Sequence, residues 1–384
     1  MFTQNISFKN FLTKNKSKLV KKKLNLILKE KNQVIRSLSK SYKDSFSKKN
    51  TKHFNKKFDY RIIGMGGSTL GAQAIYDFLK KNIKKRFIFI DNLNAFKNEK
   101  VKKNHNNLII SKSGNTIETI VNANILLKKK DKNLFITEKK KSYLSLLAKN
   151  LKAEVIDHND YIGGRYSVLS EVGMLPAELM GLNYKNFRQL NNLVKNKSFM
   201  RALVSNVEAT IFFLKEKKFN SIIINYDEQS TNLFNWYQQL VAESLGKEKK
   251  GILPIISVMP KDNHSVMQLY LDGFKNNFFT FFYSHEKDSP KIDNERVLLE
   301  QKFLKNKDIN QIMHAQKKVT EFVFKKKNIP FRSFEIKKRD EKTLGELFCF
   351  FILETILIGK SLKVNPFDQP AVELIKKETK KILI

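Results

Sequence analysis

From Asp59 onward the sequence repeats one pattern: a short apolar run, a turn, a stretch of helical periodicity, then the next short run. Strands are expected at Arg61–Ile63, Phe87–Ile90, Leu108–Ile110 and Leu134–Ile136, and again at 221–226, 252–257, 278–283 and Phe331–Ile336. Strands joined through helices pair in parallel, and the helices cover both faces of the sheet. The fold class expected is α/β, with doubly wound parallel sheets in two similar halves and helical segments at both ends. Residues 1–57 read as one or two basic helices, 288–310 as a charged loop and 343–362 as a long apolar helix. Ligands on such sheets bind beyond the carboxyl ends of the strands, which directs attention to the turns found there.

The first turn is G-M-G-G-S-T-L-G, Gly64 to Gly71. It offers backbone N–H groups and a hydroxyl at a helix start, suited to an anion, although a tight structural turn uses the same residues. It is not a Walker loop, and Thr69 stands where a dinucleotide fingerprint needs glycine. Asp91, after the next strand, would suit a ribose hydroxyl and keeps a nicotinamide reading open. The second turn, S-K-S-G-N-T, gathers Ser111, Ser113 and Thr116 before a helix. An ordinary N-cap needs one hydroxyl, not three, so phosphate binding is the stronger reading. Lys112 adds charge there or points to solvent. In G-G-R-Y-S, Arg165 follows two glycines, Gly163 and Gly164, that permit close approach to a ligand. Arg165 suits an oxyanion or enediolate; the alternative is a surface ion pair.

A helix is expected between Ser230 and Gly246, with Ser230, Thr231 or Asn232 as its cap and Gly246 as a left-handed C-terminal stop. Leu233, Trp236, Tyr237, Leu240 and Ser244 share its apolar face. Glu243 falls at the margin of that face, near Trp236 and one turn after Gln239. A carboxylate so placed suits a proton-transfer base; the structural alternative is an ion pair with Lys247, four residues on. His264, in D-N-H-S, is the residue type for proton movement near neutral pH, or a plain helix-start residue.

The formal charge is +36, which invites a nucleic-acid reading. Lysines outnumber arginines 64 to nine, however, and are spread along the whole chain. Base-edge recognition favours the arginine fork, so a solvated basic surface that gathers small anions is expected, without specific nucleic-acid binding. One cysteine excludes an internal disulfide and fits a reducing compartment. No signal peptide or bilayer-spanning run is read, so a cytoplasmic protein is expected, without a membrane partner. No Cys/His cluster has metal-ligand spacing along the chain, and no metal or cofactor is expected.

Taken together, I-G-M-G-G-S-T-L-G, S-K-S-G-N-T-I-E-T, G-G-R-Y-S-V-L-S-E-V-G-M-L-P, the Ser230–Pro254 stretch, H-S-V-M-Q-L-Y-L-D-G and V-N-P-F-D-Q-P-A-V-E-L-I-K resemble the glucose-6-phosphate isomerase family, in the family's order. The resemblance implies two sugar-isomerase domains, at 58–190 and 191–340, between a helical segment 1–57 and C-terminal helices 341–384 that close the active site. It implies Glu243 as the base carrying a proton between C1 and C2, Arg165 as the group stabilising the enediol, and His264 and Lys376 in ring opening. His264 would come from the neighbouring subunit, hence a homodimer. Gln239 and Gln369 match substrate contacts, Gly67, Ser68 and Gly164 lie beside the sugar, and Ser111, Lys112, Ser113 and Thr116 form the phosphate loop. Ala371 and Ile375 depart from the family's more usual glycines. S-K-S-G-N-T also resembles the broader sugar-isomerase loop, which leaves activity on mannose 6-phosphate open. A catalytically silent sugar-phosphate sensor remains the reading from a different class.

Overall fold

The computed structural model describes residues 2–12, 18–52, 54, 58–95, 104–128 and 130–384. Among the described residues, ten strands form two five-stranded sheets: β1 (Ile6–Lys9), β2 (Tyr60–Gly64), β3 (Phe87–Ile90), β4 (Asn106–Ile110), β5 (Lys132–Thr137), β6 (Glu154–Asp157), β7 (Asn220–Asn225), β8 (Leu253–Val258), β9 (Asn277–Ser284) and β10 (Phe331–Ile336). The first sheet has the order β3-β2-β4-β5-β6 and is parallel throughout. The second has the order β1-β10-β9-β7-β8 and is parallel except for β1.

Both sheets are wound alike. In each, the first strand of the parallel set takes its successor on one side and the next strand on the other, which creates a switch point. In the first sheet that point lies between β2 and β4, where Gly64 pairs with Ile110. The turns that follow these two strands are the glycine-rich loop and the hydroxyl-rich loop. Two sequence motifs 47 positions apart are thus made neighbours by strand pairing alone.

Helix Glu341–Leu362 is buried at every position from Thr343 to Gly359. A helix apolar on all sides belongs inside a core. This one packs on helices Lys18–Lys29, Lys197–Lys215 and Thr231–Leu245. Its two buried carboxylates are both partnered: Glu346 accepts from Thr3 Oγ1 at 2.7 Å, and Glu354 pairs with buried Arg332 and accepts from Asn206, as ions withdrawn from water require.

Several expectations change. The N-terminal segment is not wholly helical: Ile6–Lys9 adds antiparallel to β10, with Ile6 opposite Ile336. Strand β6 was not foreseen, because four residues at a sheet edge with Val155 exposed carry little apolar signal. Helix Thr231–Leu245 ends at Gly246 with φ −74°, not in the left-handed region. Ser230 sits at its cap position, but its hydroxyl donates to the Asp227 carboxylate instead of capping the helix. The 288–310 stretch contains two short 3-10 turns, Asn294–Arg296 and Leu299–Leu304.

Candidate functional site

The site forms where the switch point of the first sheet meets helix Thr231–Leu245. Gly66 adopts φ +51°, a left-handed conformation that favours glycine, and a Cβ there would lie 2.8 Å from Gln239 Nε2. Gly67 abuts Gly164 and Arg165. The glycine-rich loop therefore touches both the G-G-R-Y-S turn and the helix that carries Glu243.

Arg165 is the hub, with 2% of its surface exposed. Its Nε donates to Ser244 Oγ at 2.8 Å, and its Nη2 to the carbonyls of Pro366 (2.8 Å) and Asp368 (2.9 Å). Its Nη1 donates to Gln369 Oε1 at 2.7 Å and to Glu243 Oε2 at 3.3 Å. Every one of the five guanidinium N–H groups has an acceptor, which excludes the surface-pair reading. Trp236 Nε1 donates to the Arg165 carbonyl at 3.2 Å, so the same helix holds the arginine's backbone as well.

Glu243 keeps 28% of its side chain exposed. Oε1 accepts from Gln239 Nε2 at 2.8 Å while Oε2 faces Arg165. The alternative partner, Lys247, turns elsewhere: it bonds Asp368 Oδ1 at 2.7 Å and holds that carboxyl below its ordinary range. Gln239 Oε1 is buried with no hydrogen-bond partner among the described residues. An orphan acceptor beside a carboxylate is an unusual arrangement in a folded interior.

In the hydroxyl-rich loop, Ser111 Oγ and Thr116 Oγ1 lie 3.0 Å apart. Ser113 Oγ accepts from the Asn115 amide at 3.2 Å. Thr116 precedes helix Ile117–Leu126 without capping it through its side chain, leaving first-turn amides directed outward. Gly114 holds φ +65° where a Cβ would strike Ser142. Ser68, next to this loop through Gly64, is half-buried. Lys112 takes neither expected course: it donates to the Asp160 carbonyl at 2.6 Å and pairs with Glu138 at 3.6 Å. Asp91, the ribose candidate, accepts from Gln73 at 2.7 Å.

Two expected residues stand apart. His264 lies in a short turn after β8, exposed. Lys376 lies on helix Val372–Ile382, whose residues are all exposed, and donates to Glu373 Oε1 at 2.7 Å instead of reaching the Glu243 cluster. Gln369, by contrast, is brought directly onto Arg165. The residues missed from sequence are Ser244 and Tyr166, whose buried hydroxyls lie 2.8 Å apart beside Arg165. Both sit inside quoted motifs, but helical spacing marks Ser244 only as a core position. Burial raises the Tyr166 phenol above its ordinary range and keeps it protonated.

One group with metal-like spacing also escaped the sequence. Single ligand atoms of His285, His314 and Glu335 lie within 4.8 Å of one another. These residues are far apart in the chain and meet only through folding. Glu335 is already engaged by Lys317 at 2.5 Å and Lys318 at 2.9 Å. Burial alone would raise its carboxyl, but the two lysines outweigh that and hold it down to about 2. Two ammonium groups on the only carboxylate oppose a cation, so the group reads as an ion-pair network.

The fold is shared with a putative phosphosugar isomerase of Bacillus subtilis, which superposes with a TM-score of 0.54 at 12% identity, covering 87% of this chain and 97% of that one. Residues 27–384 match the phosphoglucose isomerase family. A glucose-6-phosphate isomerase of Methanocaldococcus jannaschii is 31% identical over 342 residues, covering 82% of each chain. One of Mycoplasmopsis pulmonis is 32% identical over 356 residues, covering 84% of this chain and 82% of its own. Among solved structures, a hypothetical protein of Thermus thermophilus superposes with a TM-score of 0.79 at 21% identity, covering 95% of this chain and 94% of that one. A glucose-6-phosphate isomerase of Chlamydia trachomatis gives 0.71 at 19% identity, covering 99% and 81%. The chain belongs to the phosphoglucose isomerase family.

Proposed function

We propose that this chain interconverts glucose 6-phosphate and fructose 6-phosphate, moving a proton between C1 and C2 of the open-chain sugar through a cis-enediol. The observation that carries this reading is the placement of Glu243 and Arg165 on one another at the end of the phosphate-loop switch point. Glu243 takes the proton from C2 of the aldose and returns it to C1, so the carboxylate ends the cycle as it began. Arg165 Nη1, now shared by Glu243 and Gln369, turns to the enediolate oxygen as charge develops. The unpartnered Gln239 Oε1 supports a role in accepting from a sugar hydroxyl. Ser111, Ser113 and Thr116 anchor the phosphate, and Gly67, Ser68 and Gly164 form the wall beside the sugar.

His264 and Lys376 act in ring opening. The exposure of His264 in this single chain supports its use in a neighbouring subunit's site, in a homodimer. The wholly exposed helix that carries Lys376, with Leu374 and Ile375 open to water, is consistent with burial against a partner or over a bound sugar. Residues 58–190 and 191–340 serve as the two sugar-isomerase domains. No helix among the described residues is long and apolar enough to cross a membrane; the cytoplasm and central sugar metabolism belong to this proposal. The test supplies fructose 6-phosphate and follows glucose 6-phosphate with a coupled dehydrogenase. Formation of glucose 6-phosphate supports the reading and its absence refutes it; mannose 6-phosphate in the same assay defines the substrate range.

A further inference from the structure

Arg165 is anchored by a closed ring of hydrogen bonds. Its Nε donates to Ser244 Oγ at 2.8 Å, the Ser244 and Tyr166 hydroxyls lie 2.8 Å apart, and Tyr166 donates to the Pro366 carbonyl at 2.9 Å. That carbonyl also accepts from Arg165 Nη2 at 2.8 Å, which closes the circuit. A phenol has one proton, and Tyr166 gives it to Pro366, so Ser244 must donate to the Tyr166 oxygen. The ring therefore runs in one direction, each hydroxyl accepting once and donating once. All of its members are buried, where water cannot substitute for a lost partner and polarisation along the chain strengthens each bond.

The ring engages one edge of the guanidinium, the Nε–Nη2 edge. The remaining corner, Nη1, faces Glu243 and Gln369. Resting on the isomerase reading above, we propose that Ser244 and Tyr166 are positioning residues for the reaction, fixing Arg165 so that Nη1 alone is presented to the enediolate. Both side chains are buried behind Arg165, away from solvent. The enediolate's charge appears only after the proton has left carbon, so an arginine out of place weakens the transition state and leaves ground-state binding almost untouched. The ring also ties the 366–369 turn, and with it Gln369, to the same arginine.

The test uses Ser244→Ala, which removes the acceptor for Nε, and Tyr166→Phe, which removes a single oxygen and keeps the ring volume. Isomerase kinetics are compared with the affinities of two inhibitors. A pentonate 5-phosphate carries an anion where the enediolate forms, whereas a hexitol 6-phosphate is neutral there. The expected result is a kcat lower by roughly ten- to a hundred-fold, the scale on which misplaced groups act, with KM little changed. Affinity for the pentonate phosphate falls about tenfold, equivalent to about 1.4 kcal/mol, and that for the hexitol phosphate is retained. A retained hexitol phosphate affinity also shows that the variant is folded. Unchanged kcat in both variants, or equal loss of both inhibitors, overturns the proposal. A wild type that does not interconvert the sugars overturns the functional reading and this inference with it; a normal wild type with unaffected variants overturns this inference alone.

Discussion

Gly67 and Gly164 meet backbone to backbone: a Cβ at position 67 would stand 2.1 Å from the Gly164 carbonyl carbon, while a Cβ at position 164 would find only Gly67 Cα, at 3.8 Å. The contact is one-sided. It joins the loop after β2 to the turn that carries Arg165.

The asymmetry predicts opposite outcomes for two equivalent-looking substitutions. Gly67→Ala must push the two loops apart, because rigid backbone and not a flexible side chain is in the way, at a cost on the order of 1–3 kcal/mol. Gly164→Ala enters ordinary van der Waals space and leaves stability nearly unchanged. Thermal or urea melts of the two variants check this; equal destabilisation would contradict the packing described.

If the hydroxyl-rich loop binds the phosphate, it should govern substrate capture and not chemistry. Replacing Ser111 by Ala and Thr116 by Val removes two hydroxyls 3.0 Å apart while keeping the volume of the second. A hydrogen bond to a charged group contributes about 1.5–3 kcal/mol, so the KM for fructose 6-phosphate should rise at least about tenfold with kcat largely retained. An unchanged KM would place the phosphate elsewhere.

Acid stability should depend on His158. Burial holds this imidazole down, from the ordinary 6.5 to about 4, beside the Asn159 carbonyl at 3.1 Å. Above pH 6.5 both folded and unfolded chains carry it neutral. Between 6.5 and 4 the unfolded chain takes a proton that the folded chain refuses, so stability falls as pH falls, by up to about 3 kcal/mol across the window. His158→Gln should flatten that part of the profile. Parallel urea midpoints for wild type and variant from pH 7 to pH 4 would contradict it.

If His264 serves the neighbouring subunit, two inactive variants should repair one another. A dimer of one Glu243→Gln subunit and one His264→Ala subunit has one site with both groups intact and one with neither. Subunits mixed and allowed to exchange should recover roughly a quarter of wild-type activity, since half the dimers are mixed and each has one good site. No recovery would return His264 to its own chain.

Much of this was legible in sequence where chemistry and periodicity coincide. The strands after Asp59 other than β6 follow from their short aliphatic and aromatic runs, and Glu243 from its place on the margin of an apolar face. What folding adds is closure between distant segments. Arg165 reaches Gln369 across 204 positions, and nothing local in V-N-P-F-D-Q-P shows that its carbonyls end on a guanidinium. Ser244 looks like packing because a small residue on an apolar face normally is. I-S-F-K falls in a stretch that reads as basic helix, because it is too short to reveal a strand that exists only by pairing with Phe331–Ile336. Lys247 was the natural i,i+4 partner for Glu243, yet Asp368 took it once the C-terminal turn folded back.

If the Glu243 carboxylate moves the proton, its amide must fail to do so. Glu243→Gln keeps the shape and the hydrogen-bonding reach of the side chain and removes the base. Purified wild type and variant are supplied with fructose 6-phosphate, and glucose 6-phosphate is read through a coupled dehydrogenase. Robust wild-type turnover is expected, with a kcat lower by on the order of 10³-fold in the variant, within the range for loss of a general base. A variant that turns over within a few-fold of wild type would contradict it.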